Sequence, residues 1–247
     1  MKVIDKKKPE IAIIGRGNVA LHLSKALEEK TSVSLINPHT LEGISPETDL
    51  ILIAVKDDCI GDVAEKLPET RAVVAHTAGS VPLSALGSHG SAQGVFYPLQ
   101  TFTKGVDLIY SDIPVFIEAS SSSAFDLLKR VAGYFSTNVI AADSEEREKL
   151  HLASVFACNF TNAMAMISND ILANTNIPLS VMQPLMRQTI HKLRNMSPKE
   201  AQTGPAARND KKTMNRHLKL LENSSSLQQI YSLLSNYISE NVNADSK

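Results

Sequence analysis

The chain has 247 residues, 43% of them apolar, and a formal net charge of −1. This length and composition suit one or two soluble domains with a sizeable core. The near-neutral balance supplies no field that would select nucleic acid or an anionic membrane, and the clusters Lys6-Lys7-Lys8 and Lys211-Lys212 read as solvated faces.

Short apolar runs alternate with helical patterns through the first part of the chain. Residues 10–14 (EIAII) form a first strand that ends at a glycine. Residues 18–30 carry apolar side chains at 19, 20, 23, 26 and 27, which is helical spacing. Further strands are expected at 32–36, 49–55, 71–75, 94–97, 114–118 and 138–141, with a helix at 124–135 between the last two. The third, DLILIAV, is apolar almost throughout, as a parallel strand covered on both faces should be. Such alternation implies βαβ units and a mostly parallel sheet.

The pattern changes near Asp143, after which no strand is expected. DSEE (143–146) resembles a capping box, with a long helix running to about Asn174. Pro178 opens another helical segment, which Pro184 kinks or restarts. SPKE (197–200) is a second capping box, and Asp210 can cap a helix to about Glu222. Residues 227, 230, 231, 234, 237 and 238 form one apolar face, and the tail from Asn241 is expected to fray. The fold class is therefore α/β, an N-terminal domain with a mostly parallel sheet (1–142) followed by an all-α domain (143–247). Its amphipathic faces suggest a homodimer through the helical domain.

Cys59 and Cys158 lack the spacing of a zinc site and fit a reducing cytoplasm. No apolar run reaches the length of a membrane span. The start, MKVIDKKKPE, is charged where a signal peptide would be apolar. The expectation is a cytoplasmic protein with neither a membrane nor a nucleic-acid partner.

IIGRGNVA (13–20) places Gly15, Gly17 and Ala20 in the G-x-G-x-x-G/A order between a strand and a helix. Gly15 permits the turn, Gly17 lets a pyrophosphate approach, and Ala20 keeps the helix near the sheet. Arg16, Asn18 and Val19 complete the loop, whose free N–H groups and helix dipole favour an anion. A nucleotide fold without its ligand is the competing interpretation. The second strand ends in Asn37-Pro38-His39-Thr40, with no carboxylate to hold a ribose 2′-hydroxyl. Small polar groups and a histidine favour NADP, although no arginine is present; NAD and a deazaflavin coenzyme stay open. Val55, Lys56 and Asp57 end the third strand and should border the cofactor, with a solvated helix start as the alternative. His76 ends the fourth, either at the nicotinamide or as a structural histidine.

In order, IGRGNVA, DLILIAVKDD, HTAGS, FYPLQTF, HLASVFACNF and TGPAARND resemble the bacterial Rossmann-like proteins whose helical half is a domain of unknown function. These are provisionally labelled NADP- or deazaflavin-coenzyme-dependent oxidoreductases. More distantly the chain is similar to pyrroline carboxylate reductase, prephenate dehydrogenase and the 6-phosphogluconate dehydrogenase group. The resemblance implies a helical dimerisation domain and an active cleft between the domains, but no substrate. It also marks three departures: Tyr97 where the family has histidine, Ala78 where it has serine, and Asn209 where it has glycine.

By analogy with related hydroxyacid dehydrogenases, His151 is a candidate general acid or base and Asn159 a candidate to orient a substrate oxygen. A hydrogen-bonded contact between helices is the competing role for both. Tyr97, Gln100 and Thr101 are expected on the substrate side of the cleft. Arg208 could clamp an anionic substrate, or pair with Asp210 or a dimer mate. The function expected is NAD(P)-dependent hydride transfer to or from a small anionic metabolite. A non-catalytic dinucleotide-binding sensor or assembly protein is the alternative.

Overall fold

Alternating faces explain the sheet. In the computed structural model, which describes residues 8 to 242, β1 (Glu10–Ile14) sends Ile11 and Ile13 to one side and Ala12 and Ile14 to the other. Both sides are buried, as a strand in the middle of a covered sheet requires. The other strands are β2 (Ser32–Ile36), β3 (Leu50–Ile53), β4 (Val73–His76), β5 (Ala92–Pro98), β6 (Val115–Ala119) and β7 (Val139–Ala141). Their order is β2-β1-β3-β4-β5-β6-β7, and every pairing is parallel except β5 with β6.

Helices cover each face. On one side α1 (Asn18–Leu27) and α3 (Ser122–Ala132) pack Leu23, Leu27, Leu128 and Val131 against Ile11, Leu52 and Phe96. On the other, α2 (Ile60–Glu65) packs Ile60, Val63 and Ala64 against Ile14, Ile53 and Val74. The helix expected at 124–135 starts earlier, because Ser121 caps it by accepting from the Ala124 N–H at 3.3 Å, and it ends at Ala132.

Beyond β7 the described chain is helical. Asp143 accepts from the Glu146 N–H at 2.9 Å while Glu146 accepts from the Asp143 N–H at 3.0 Å, the reciprocal box expected from DSEE. This starts α4 (Ser144–Ser154), which passes through a π-helical stretch, Val155–Phe160, into α5 (Thr161–Leu172). A single-turn π bulge of this kind is a common mark of functional sites. Pro184 restarts rather than kinks the chain. It lies in the first turn of α6 (Gln183–Lys192), after a 3₁₀ turn at Leu179–Met182. Ser197 and Glu200 form the second capping box at α7 (Pro198–Ala201), and Asp210 caps α8 (Lys211–Leu220).

The last helix, α9 (Ser225–Val242), does not fray at Asn241, whose amide donates to the Tyr237 carbonyl at 2.8 Å. The remainder of the expected frayed tail, Lys6 and Lys7, and most of the charged start lie outside the described residues. The chain divides into two compact units, one up to Ala163 and one from Met164 on. The division falls inside the long helix rather than at the end of β7. That helix also corrects the expectation about apolar runs: Ser144–Leu172 is, by length and composition, long and apolar enough to cross a membrane.

Candidate functional site

The glycine turn shapes one wall of a cavity at the carboxyl ends of the strands. Gly15 has φ +146°, and a Cβ there would stand 2.2 Å from the Ala54 carbonyl oxygen. The turn therefore passes too close to the end of β3 for any side chain. Gly17 differs: no atom lies within 4 Å of where its Cβ would be. It is the N-cap of α1 and has no side chain to cap with, and the first turn holds no acidic residue. The start of α1 thus has no side-chain cap and has open space beside Gly17, at the positive end of a helix dipole, as an anion-binding turn requires.

The cavity measures about 850 Å³. Gly15, Arg16, Gly17, Asn18 and Val19 form the wall near α1, His39 comes from the end of β2, and Val55 and Lys56 follow β3. These eight are among the residues expected to hold a cofactor. Gln100, expected on the substrate side, lines the same cavity. Its Oε1 accepts from the Thr101 N–H at 2.7 Å, while Thr101 itself lies off the wall.

Five other expected cofactor residues do not line it. Ala20 is fully buried beneath the turn, where its methyl limits the helix–sheet distance. Asn37 and Thr40 turn back on their own loop, accepting from the N–H groups of His39 and Glu42. Asp57 accepts from the Ser80 hydroxyl at 2.8 Å, tying the start of the helical turn after β3 to the loop after β4. His76 is fully buried at the end of β4.

Sequence reasoning missed the opposite wall, made by Cys59, Asp62, Val63 and Lys66, and also Pro38, Ala54, Thr77 and Phe102. The spacing 59, 62, 63, 66 is one face of a helix and could have been read. Phe102 is held by Asn18, whose amide donates to its carbonyl at 2.9 Å. One turn along α1, His22 Nε2 lies 3.0 Å from the Thr103 carbonyl and Nδ1 3.0 Å from the Tyr110 hydroxyl. The glycine-loop helix thus clasps the segment that follows β5.

A second group of side chains lies around the loop after β4. Arg147, on α4, is fully buried. Its Nη1 donates to the carbonyls of Gly79 and Val81, each at 3.0 Å, and of Ala78 at 3.3 Å. Its Nη2 donates to Glu118 at 2.7 Å and to the Ser144 hydroxyl at 3.0 Å. One arginine thus ties α4 to β6 and to the β4 loop. Burial, aided by the Arg147 charge, pushes the His76 imidazole down to about 4 from 6.5, so it is neutral at pH 7. Its Nδ1 accepts from the Ala78 N–H at 3.2 Å. The Pro82 carbonyl favours a proton on the ring, but among the described residues no hydrogen bond of good geometry closes on Nε2.

One turn after Arg147 stands His151, with Nδ1 3.4 Å from the Tyr97 hydroxyl and the rings edge-on at 6.3 Å. Burial first, and the Asp57 charge second, push the Tyr97 phenol above its ordinary value. Asn159 lies in the π stretch, exposed, with no hydrogen bond to His151 among the described residues. In the second unit Arg208 is exposed on the loop before α8. The next residue, Asn209, has φ +53°, a left-handed conformation that explains glycine as the family's usual residue there. Asp210 serves as a cap, accepting from the Thr213 N–H at 3.0 Å.

The model of the family described as a domain of unknown function, DUF2520, matches residues 113–238. The chain belongs to that family. Among solved structures, a Bacteroides fragilis protein provisionally named an NADP oxidoreductase is 36% identical. The match covers 94% of this chain and 98% of that one, with a TM-score of 0.85. A Thermotoga maritima protein is 19% identical over 96% of this chain and 100% of its own, with a TM-score of 0.73. An imine reductase from Myxococcus stipitatus, solved with NADP+, is 16% identical over 96% of this chain and 95% of its own, with a TM-score of 0.68. The last two share the fold. No curated protein matches the chain.

Proposed function

We propose that the protein is an NAD(P)-dependent oxidoreductase that favours NADP and acts on a small, anionic metabolite. The observation that carries this is the uncapped start of α1 at Gly17, opening on an 850 Å³ cavity with Arg16, His39, Lys56 and Lys66 in its walls. The residues fit a dinucleotide. The first turn of α1 takes the pyrophosphate, and the cations suit a further phosphate in a region with no carboxylate at the end of β2. The B. fragilis relative's name supports the same choice. When bound, the nicotinamide would give or take the hydride.

The chain's own part is to bind, orient and move a proton. His151 handles that proton, and Tyr97, Gln100, Thr101 and Asn159 orient the substrate; Arg208, in the other unit, is a separate candidate to bind an anion. We further propose a homodimer formed through the helical unit, and a soluble protein whose long helix faces protein rather than lipid.

The test is thermal stabilisation by NADP, NAD, their reduced forms and a deazaflavin coenzyme. A ligand at a hundred times its dissociation constant adds about 2.7 kcal/mol. For a chain of this size that raises the melting temperature by roughly 5–10 °C. NADP should give the largest rise. No shift with any of these ligands removes the cofactor assignment.

A further inference from the structure

We propose that Tyr97 is a positioning residue that donates its hydroxyl proton to His151 Nδ1 and so holds the neutral imidazole as the tautomer with its proton on Nε2. The inference rests on the oxidoreductase reading, in which His151 moves a proton, and it names what sets the form of that group.

Three observations carry it. The Tyr97 oxygen lies 3.4 Å from His151 Nδ1, and among the described residues it has no other hydrogen-bond partner. A phenol O–H is a stronger donor than an imidazole N–H, and an imidazole nitrogen a stronger acceptor than a phenol oxygen, so O–H to Nδ1 is the better-matched direction for this pair. With the phenol as donor, its hydrogen and the Nδ1 lone pair satisfy each other. Burial and the Asp57 charge also keep the phenol protonated, hence a donor, through neutral pH.

The second observation is the floor beneath the pair. A Cβ on Gly79 would stand 2.6 Å from the Tyr97 ring and 3.0 Å from His151 Nδ1. Both rings therefore rest on a position that only glycine can occupy without displacing them. The third is what holds that floor. The Gly79 carbonyl accepts from Arg147 at 3.0 Å, and Arg147 belongs to the same helix as His151, one turn earlier. Helix, loop and tyrosine are thereby locked as one unit, and the second nitrogen of His151 is left to act. A histidine whose reactive nitrogen is chosen by a hydrogen bond on the other is a general device for fixing proton direction.

The experiment reads the ring nitrogens directly. Long-range proton–nitrogen correlation spectra of the full-length, nitrogen-15-labelled protein at pH 8 separate protonated from unprotonated imidazole nitrogens. The His151 signals are identified by their loss in His151→Gln. The expected wild-type pattern is an unprotonated Nδ1 and a protonated Nε2. Tyr97→Phe should lose that single-tautomer pattern and show a mixture. Gly79→Ala, which pushes the two rings apart but keeps the hydroxyl group, should do the same. A proton on Nδ1 in the wild type overturns the proposal, as does an unchanged pattern in Tyr97→Phe. The spectra need neither cofactor nor substrate. Failure of the oxidoreductase reading, seen as no thermal shift with NADP, is thus distinguishable from failure of the tautomer assignment.

Discussion

Gly15 and Gly17 sit two residues apart and answer to different forces. Gly15 combines a left-handed φ with a backbone oxygen 2.2 Å from its missing Cβ, so its constraint is internal. Gly17 has an ordinary φ of −79° and open space, so its constraint is what comes to occupy that space. Gly15→Ala should cost about 2–3 kcal/mol of stability, as strained backbone substitutions do. Gly17→Ala should melt within about 0.5 kcal/mol of wild type, the range of harmless surface changes, yet lose most of the NADP-induced thermal shift. Full retention of that shift in Gly17→Ala would show that the pyrophosphate does not approach there. His76 gives a prediction in pH. Its folded value, about 4, lies below the ordinary 6.5, so the fold favours the neutral ring. That stability is present above pH 6.5 and is lost as pH falls towards 4. The loss attributable to this one ring is about 3 kcal/mol. Urea unfolding of wild type and His76→Asn at pH 7 and pH 4.5 should show a shallower fall in the variant. Its side-chain oxygen can still accept from Ala78.

At the scale of elements, the buried Arg147 is the joint between α4 and the sheet. It balances Glu118 at 2.7 Å and saturates three carbonyls of one loop. Removing one partner of such a pair leaves the other uncompensated, at about 3–5 kcal/mol. Arg147→Met should therefore lower stability by that amount, measured by urea unfolding at fixed protein concentration. Glu118→Gln should lose less, because its amide oxygen still accepts. Equal and small losses would mean that α4 is held by its apolar contacts instead. The strands β1 and β2 were legible in sequence to the residue, because alternation and flanking glycine or polar residues bound them sharply. The glycine turn was legible for the same local reason. Arg147 was not: in DSEEREKLH it stands among solvated charges, and only tertiary packing selects it for burial. The far wall of the cavity escaped notice because α2 is short and the segment before it, KDD, reads as solvent-facing. The approach of Tyr97 to His151, by contrast, was legible, because Pro98 stops the strand at the crevice and leaves Tyr97 within reach of the helix that carries His151.

The two compact units differ as whole bodies. The first has its core on both faces of a sheet. In the described part of the second, Ala206 is the one buried hydrophobic residue. Its helices instead expose large side chains, among them Met166, Val181, Leu185, Ile190, Leu233 and Tyr237. A chain segment cannot offset its ordering entropy with so little burial, so these faces must be covered. A second copy of the same helices presents a surface of the same character, and symmetric pairing is the commonest way to cover one. Light scattering should accordingly give twice the 26.8 kDa chain mass. The melting temperature should rise with protein concentration, as it does when folding and association are linked. Leu185, 63% exposed, lies in α6. Leu185→Asp would place a charge in the covered face, which should shift the population to monomer and lower the melting temperature. A monomeric wild type overturns the dimer. A dimer unchanged by Leu185→Asp moves the interface away from α6. Recovery of the protein in the membrane fraction would instead assign the apolar side of Ser144–Leu172 to lipid, which its polar residues Asn159, Thr161, Asn162 and Asn169 argue against.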